Sequence, residues 1–309
     1  MSSLNKDNEY YICFDQLDLG FDLAAGDYRN RLVGLLLAAR DLNLAAREAN
    51  RKLFVAIFLR DDIYEQLHFE DKNKLTENSL SLIEWDTSRT DKTLQHLMEK
   101  RFKALLGAEV TWSALFDETK QMAGHQTKYQ HILDRTYLRP RDIIRFSNSV
   151  LRQYKLRRKQ EAGGCEKFEN ADINNARADY SGYLLNELDD EIHKHLPRSK
   201  DLLDVLRSLG VWQFDLEDFE RHYKAVFSKI DAVPETPRQA LQGLYEFSIV
   251  VFQKKPIAFV FKYIDGRVPF DMAATRFRIH PGLIEILGLK RFTVTSLDYE
   301  EAGLSPEPP

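Results

Sequence analysis

Two continuous apolar runs in the first part of the chain predict strands of a parallel sheet. They are residues 10–14 (YYICF) and residues 53–59 (LFVAIFL). Their β-branched and aromatic side chains, without polar alternation, favour strands that are buried on both faces. Between them, residues 29–51 repeat leucine and alanine at helical spacing. A strand, a helix and a second strand predict a βαβ unit.

The remaining chain is mainly helical in pattern. Residues 79–85 are one more strand candidate, and residues 157–169 are charged and contain glycine, which indicates a loop or linker. Helical patterns occupy residues 90–159, 171–196, 200–209 and 216–227.

A boundary is predicted at residues 233–237 (VPETP), and an amphipathic helix is predicted at 238–252. Strand patterns at 257–264 and 276–280 and a short helix to residue 289 complete an order typical of a winged helix. We therefore expect an α/β fold with a mostly helical remainder. Its expected divisions are an α/β core at 1–90, a helical region at 91–232, a winged-helix-like module at 233–304 and a disordered tail at 305–309.

Composition limits the cellular compartments and the binding partners that we expect. The 309 residues include 44 basic and 48 acidic residues, so nucleic acid or membrane contact would require a local basic patch. Cys13 and Cys165 form neither a disulfide framework nor a zinc motif, which favours a reducing, cytoplasmic setting. The polar start of the chain has no apolar signal region, and no apolar run is long enough to span a bilayer.

The first apolar run ends in an acid, Asp15, and Asp18 follows three residues later. A carboxylate at the carboxyl edge of a parallel sheet is suited to Mg²⁺ on nucleotide phosphates. Asp18 could orient an attacking water or act as a base. The alternative is a buried strand that simply ends in a solvated aspartate.

The second run ends in Arg60, which is followed by Asp61 and Asp62. A polar group here could sense a γ-phosphate or contact the preceding acids. The alternative is ion pairing at the end of a strand.

Two arginines, Arg139 and Arg141, flank Pro140, whose fixed φ suits the first turn of a helix. Their guanidinium groups and the free N–H groups of a helix start could meet an anion. The alternative is helix capping with a salt bridge from Arg141 or Arg145 to Asp142.

Together these motifs resemble bacterial P-loop ATPases related to the KAP and STAND branches of AAA+ proteins. The matching segments, in order, are FDQLD (14–18), FLRDDIYEQLHFEDKNK (58–74), the Trp85, Leu97 and Arg101 pattern, RPRDIIRF (139–146), ADYSGYLLNEL (178–188) and RFRIHPGLIEILGL (276–289).

The resemblance implies an ATP-dependent switch in a bacterial defence or DNA-handling setting. It also implies that Asp15 and Asp18 form a Walker B pair, with Mg²⁺ bound at Asp15. In the same way it implies that Arg60 lies near the nucleotide and that Arg139 or Arg141 belongs to a lid. A protein partner or a homo-oligomer is the expected assembly.

One departure separates this sequence from such ATPases, which hold phosphates with a G-x-x-x-x-G-K-[ST] loop. No Gly-Lys pair occurs in the 309 residues, and the Walker B-like strand begins near residue 10. ATP binding by this chain alone should therefore be weak. A missing upstream segment or a partner would complete the site.

The alternative is a non-catalytic interaction or DNA-binding module. Its candidate phosphate contacts are Lys254, Lys255, Lys262 and Arg267, near Arg276 and Arg278. The same basic residues would also be present if the winged helix served only for packing or regulation.

Overall fold

The computed structural model describes residues 4–17, 26–86, 91–107, 109–160, 165–192, 196, 198–228, 235–255 and 258–290. The chain divides into two compact units, residues 1–83 and residues 84–309. Among the helices of the described residues, none combines the length and the apolar composition that a membrane span requires. The predicted tail at 305–309 lies outside the described residues.

In the first unit, the described residues form a small parallel sheet and three helices. Its elements are β1 (Glu9–Phe14), α1 (Gly26–Glu48), β2 (Lys52–Ile57), α2 (Asp61–Gln66) and α3 (Lys72–Ser79). Strands β1 and β2 pair in parallel, from Glu9 opposite Lys52 to Phe14 opposite Ile57. The predicted βαβ unit is confirmed.

The expectation that both strands are buried is wrong. Tyr11 is 64% exposed and Phe54 is 46% exposed, and their rings stack with centroids 5.1 Å apart. Among the described residues each strand has only the other as a neighbour. Because parallel strands are normally covered on both faces, this sheet leaves an apolar face uncovered.

The core of the first unit lies among its helices. Leu32 of α1 packs with Ile63, Tyr64, Leu67 and Leu75, which α2, α3 and their connection supply. The strand predicted at 79–85 does not form: α3 ends at Ser79, and residues 80–85 pair with no strand in the described part of the chain.

The second unit is mainly helical. Its helices are α4 (Leu94–Leu106), α5 (Trp112–Leu115), α6 (Lys128–Leu133), α7 (Pro140–Gln160), α8 (Asn170–Ile192), α9 (Ser199–Leu209), α10 (Leu216–Phe227), α11 (Pro237–Glu246) and α12 (Ile284–Leu287). Its strands are β3 (Gln213–Asp215), β4 (Val250–Lys255), β5 (Ala258–Val260) and β6 (Arg276–Ile279).

Helices α7 and α8 pack along each other at the centre of this unit. Their shared contact includes the stacked rings of Phe146 and Tyr180, both fully buried, with centroids 4.6 Å apart. The loop predicted at 157–169 begins later than expected, since α7 continues to Gln160.

The four strands form one antiparallel sheet in the order β3-β6-β4-β5. The predicted helix at 238–252 ends early, at Glu246, because Ser248 takes a left-handed conformation (φ 57°) and β4 then begins at Val250. Strand β3 precedes the boundary predicted at 233–237 and pairs with β6. The boundary therefore falls inside the second unit, and the sheet is not built from the predicted winged-helix segment alone.

Candidate functional site

The carboxyl ends of β1 and β2 form a cleft in the first unit. The Phe58 N–H donates to the Phe14 carbonyl at 2.8 Å, so the strands remain side by side where they end. The cleft has a volume of about 270 Å³ and is lined by Asp15, Gln16, Phe58, Leu59 and Arg60. The structure thus brings Asp15 and Arg60, both predicted site residues, to the same edge of the sheet.

Local backbone geometry fixes the two ends of this cleft. Gln16 has a left-handed conformation (φ 58°), and its N–H donates to Asp15 Oδ1 at 2.8 Å. Arg60 is the extended residue before α2, and its carbonyl accepts from the Tyr64 N–H at 3.0 Å. Asp15 is exposed, so its carboxylate is accessible to a ligand.

Two further acids predicted near this edge have no assigned position. Asp18 lies outside the described residues, as does the side chain of Asp62. Asp61 is exposed in the first turn of α2.

The predicted lid arginines lie in the second unit at the start of α7. Pro140 begins this helix, as its position predicted. Arg139 pairs with Glu191 at 3.3 Å, and Arg141 pairs with Glu187 at 3.1 Å and with Glu191 at 3.5 Å. Both arginines are therefore held by α8. The salt bridge to Asp142 considered from sequence for Arg141 or Arg145 does not form, since Arg145 pairs with Asp179 at 3.7 Å.

Asp142 instead belongs to the buried interior. It is 2% exposed, and it accepts a hydrogen bond from the Tyr137 N–H at 3.2 Å. Burial raises the pKa of its carboxyl, against the opposing effects of Arg139 and of the Tyr137 hydrogen bond.

His280 is a second buried titratable group. It is fully buried, and its Nδ1 accepts from the Gly282 N–H at 3.1 Å. Burial lowers the pKa of the imidazole from 6.5 to about 3, although a backbone hydrogen bond to Thr136 acts in the opposite direction. His280 is thus a neutral structural histidine at neutral pH.

The four basic residues predicted to contact nucleic acid separate into two groups. Lys254 and Lys255 line a polar cleft of about 250 Å³ together with Gln253, Thr275 and Arg276. Lys262, in contrast, pairs with Glu246 at 3.2 Å, and Arg267 lies in the turn after Asp265. Gln253 and Thr275 were not predicted from sequence; only the pairing of β4 with β6 brings them together.

One group of possible metal ligands occurs among the described residues. Asp117, Cys165 and Glu169 offer ligand atoms that all lie within 4.8 Å of one another. However, Glu169 is 3.1 Å from Arg157 and 3.7 Å from Lys120, and these positive charges oppose a bound cation. We do not assign a metal to this group.

Comparison with known proteins identifies one segment of the chain. Residues 92–189 match the family described as the FunZ-associated C-terminal helical domain. The matched segment runs from the start of α4 almost to the end of α8 and lies in the second unit. Comparisons with curated proteins and with solved structures gave no significant match.

Proposed function

We propose that the first unit provides half of a Mg²⁺–ATP site and that the protein is an ATP-dependent switch. The observation that supports this proposal is the cleft shared by Asp15 and Arg60 at the carboxyl end of two paired parallel strands. In open α/β sheets, ligands bind outside the carboxyl ends of the strands.

The residues of the cleft suit a metal–phosphate ligand. Asp15 offers a hard, exposed carboxylate, which Mg²⁺ binds directly or through water. Arg60 offers a guanidinium group, whose planar set of donors matches phosphate oxygens. When bound, Mg²⁺ would neutralise phosphate charge during hydrolysis.

Several parts of the proposal come from the family resemblance alone. These are the switch function and water positioning by Asp18. The phosphate-binding loop would come from another segment or from a partner, since the 309 residues contain no Gly-Lys pair. The uncovered face around Tyr11 and Phe54 is compatible with such a completion.

Calorimetry with Mg²⁺–ATP tests this proposal on the protein as it exists. Asp15→Asn should weaken binding because it removes a charged metal ligand. The matched control is Asp7→Asn, which removes an exposed aspartate just before the amino end of the same strand. The control should bind like the unmodified protein. Equal binding by both variants, or no binding at millimolar ATP, would contradict a nucleotide site at Asp15 in this chain.

A further inference from the structure

The two faces of strand β6, in the antiparallel sheet of the second unit, differ in polarity. On β6, Phe277 and Ile279 are fully buried, whereas the alternating residues Arg276 and Arg278 are partly exposed. Because side chains alternate along a strand, both arginines lie on the face opposite the core. Arg276 is opposite Asp215 of β3 in the register.

Arg278 is held in a fixed position on this polar face. Its guanidinium carbon lies 3.7 Å from the ring centroid of Phe259 and 4.9 Å from that of Trp212. Its Nε donates to Gln213 Oε1 at 2.8 Å. Burial lowers the pKa of Arg278 to about 10, so the group stays charged at neutral pH. A fixed cation and two partly exposed aromatic rings therefore share one surface.

A basic cleft lies at the end of this sheet, where β4 finishes and β6 begins. It is lined by Gln253, Lys254, Lys255, Thr275 and Arg276. Both lysines are exposed, and the glutamine and threonine side chains can donate hydrogen bonds. Asp215, 3.5 Å from Arg276, partly offsets the positive charge.

We propose that this cleft and the adjoining polar face bind the phosphodiester backbone of a single-stranded nucleic acid. Lys254, Lys255 and Arg276 would contact phosphates, and the face of the Phe259 ring opposite Arg278 would offer a stacking surface for a base. Cationic grooves combined with aromatic rings are the usual surface for single strands, because every unpaired base has a π-face. This inference concerns the second unit and does not depend on the proposed ATP site.

The contacts of each basic side chain decide whether we assign it to the proposed binding surface. Lys262 is held by Glu246 and lies over the ring of Tyr245, at 5.9 Å from the centroid, so it is not assigned to the surface. Arg276, which the sequence already placed beside the candidate contacts, joins Lys254 and Lys255 in the same cleft.

Fluorescence anisotropy with a labelled DNA strand of about 16 nucleotides tests the proposal, since this covers the upper site size of a single-strand-binding domain. The strand should bind more tightly than the same sequence as a duplex. Its affinity should fall with salt. The double variant Lys254→Gln, Lys255→Gln removes two of the proposed phosphate contacts. It should weaken binding roughly tenfold and reduce the slope of log affinity against log salt concentration by about 1.4.

Two further variants distinguish a specific surface from general charge. Asp215→Asn removes the carboxylate that competes for Arg276, so binding should tighten. Lys100→Gln with Lys155→Gln removes the same charge from exposed positions of α4 and α7, and its affinity should match that of the unmodified protein. Circular dichroism would establish that each variant is folded.

Loss of affinity in the cleft variant alone, with a gain in Asp215→Asn, is the expected result. Equal losses in the cleft and control variants would show diffuse attraction and overturn the proposal. Tighter binding of the duplex, or no binding of the strand at low salt, would overturn it as well.

Discussion

Asn43 of α1 binds both backbone groups of Val55 on β2. Its side-chain nitrogen donates to the Val55 carbonyl at 3.0 Å, and its Oδ1 accepts from the Val55 N–H at 2.7 Å. A side-chain amide thus occupies the position that another strand would take on this edge of β2. A strand added on this side of β2 would therefore have to displace Asn43.

Replacement of Asn43 by alanine should destabilise the first unit. The change leaves a partly buried N–H and a carbonyl without these partners, at a cost of about 1–3 kcal/mol in the free energy of unfolding. Urea denaturation measures this loss. Asn30→Ala, at an exposed position of the same helix, is the control and should change stability little. Equal effects of the two substitutions would show that the Val55 hydrogen bonds do not stabilise the unit.

Gly282 should not tolerate a side chain. A Cβ at this position would lie 2.3 Å from the backbone oxygen of Arg135 and 2.6 Å from Leu184 Cδ2. Gly282→Ala should therefore lower the unfolding free energy by about 1–3 kcal/mol through overpacking. Thermal unfolding provides the measurement.

Gly182, within α8, is the matched control for that substitution. A Cβ there meets nothing within 4 Å, so Gly182→Ala should stabilise the protein by about 0.5–1 kcal/mol through helix propensity. Tolerance of Gly282→Ala would contradict its close approach to Arg135, and destabilisation by Gly182→Ala would contradict the open space at that position.

His280 should make stability depend on pH. The folded pKa is about 3 and the ordinary value is 6.5, so below pH 6.5 the unfolded chain binds a proton that the folded protein excludes. Stability should therefore fall as the pH decreases from 6.5 towards 3, by about 2 kcal/mol between pH 7 and pH 5 from this group alone. Urea unfolding at the two pH values measures the change.

His280→Asn provides the comparison for the pH effect. The amide does not titrate, and its oxygen can accept the Gly282 N–H in place of Nδ1. Asp142, whose carboxyl has a raised pKa, contributes with the opposite sign, but it is present in both proteins. The variant should lose less stability on acidification; the same loss in both proteins would rule out His280 as the source.

Local sequence patterns were sufficient to predict the βαβ unit and the helix start at Pro140. They could not predict that Tyr11 is exposed, because the burial of a strand depends on how many strands and helices surround it. A three-residue strand such as β3 is also too short to show an alternation of apolar and polar residues. Its pairing with β6 depends on contacts between residues far apart in the sequence, such as Phe214 and Phe277.

For the candidate sites, too, some features could be predicted from the sequence and others could not. Asp15 and Arg60 could be predicted to lie together because the carboxyl ends of parallel strands share an edge. The ion pair of Arg139 could not be predicted, because its partner Glu191 lies 52 residues away on another helix. Similarly, the cleft of Lys254 and Arg276 depends on the register of β4 and β6.

Placement of a bound nucleotide at the end of β1 and β2 is the central claim, and paramagnetic NMR tests it most directly. With Mn²⁺–ATP in place of Mg²⁺–ATP, a metal held by Asp15 should broaden the amide signals of Gln16, Leu59 and Arg60 strongly. The amide of Lys52, at the opposite end of β2, should be affected less. Asp15→Asn should abolish the local broadening. Unchanged signals at this edge, or broadening that persists in the variant, would contradict a nucleotide site there.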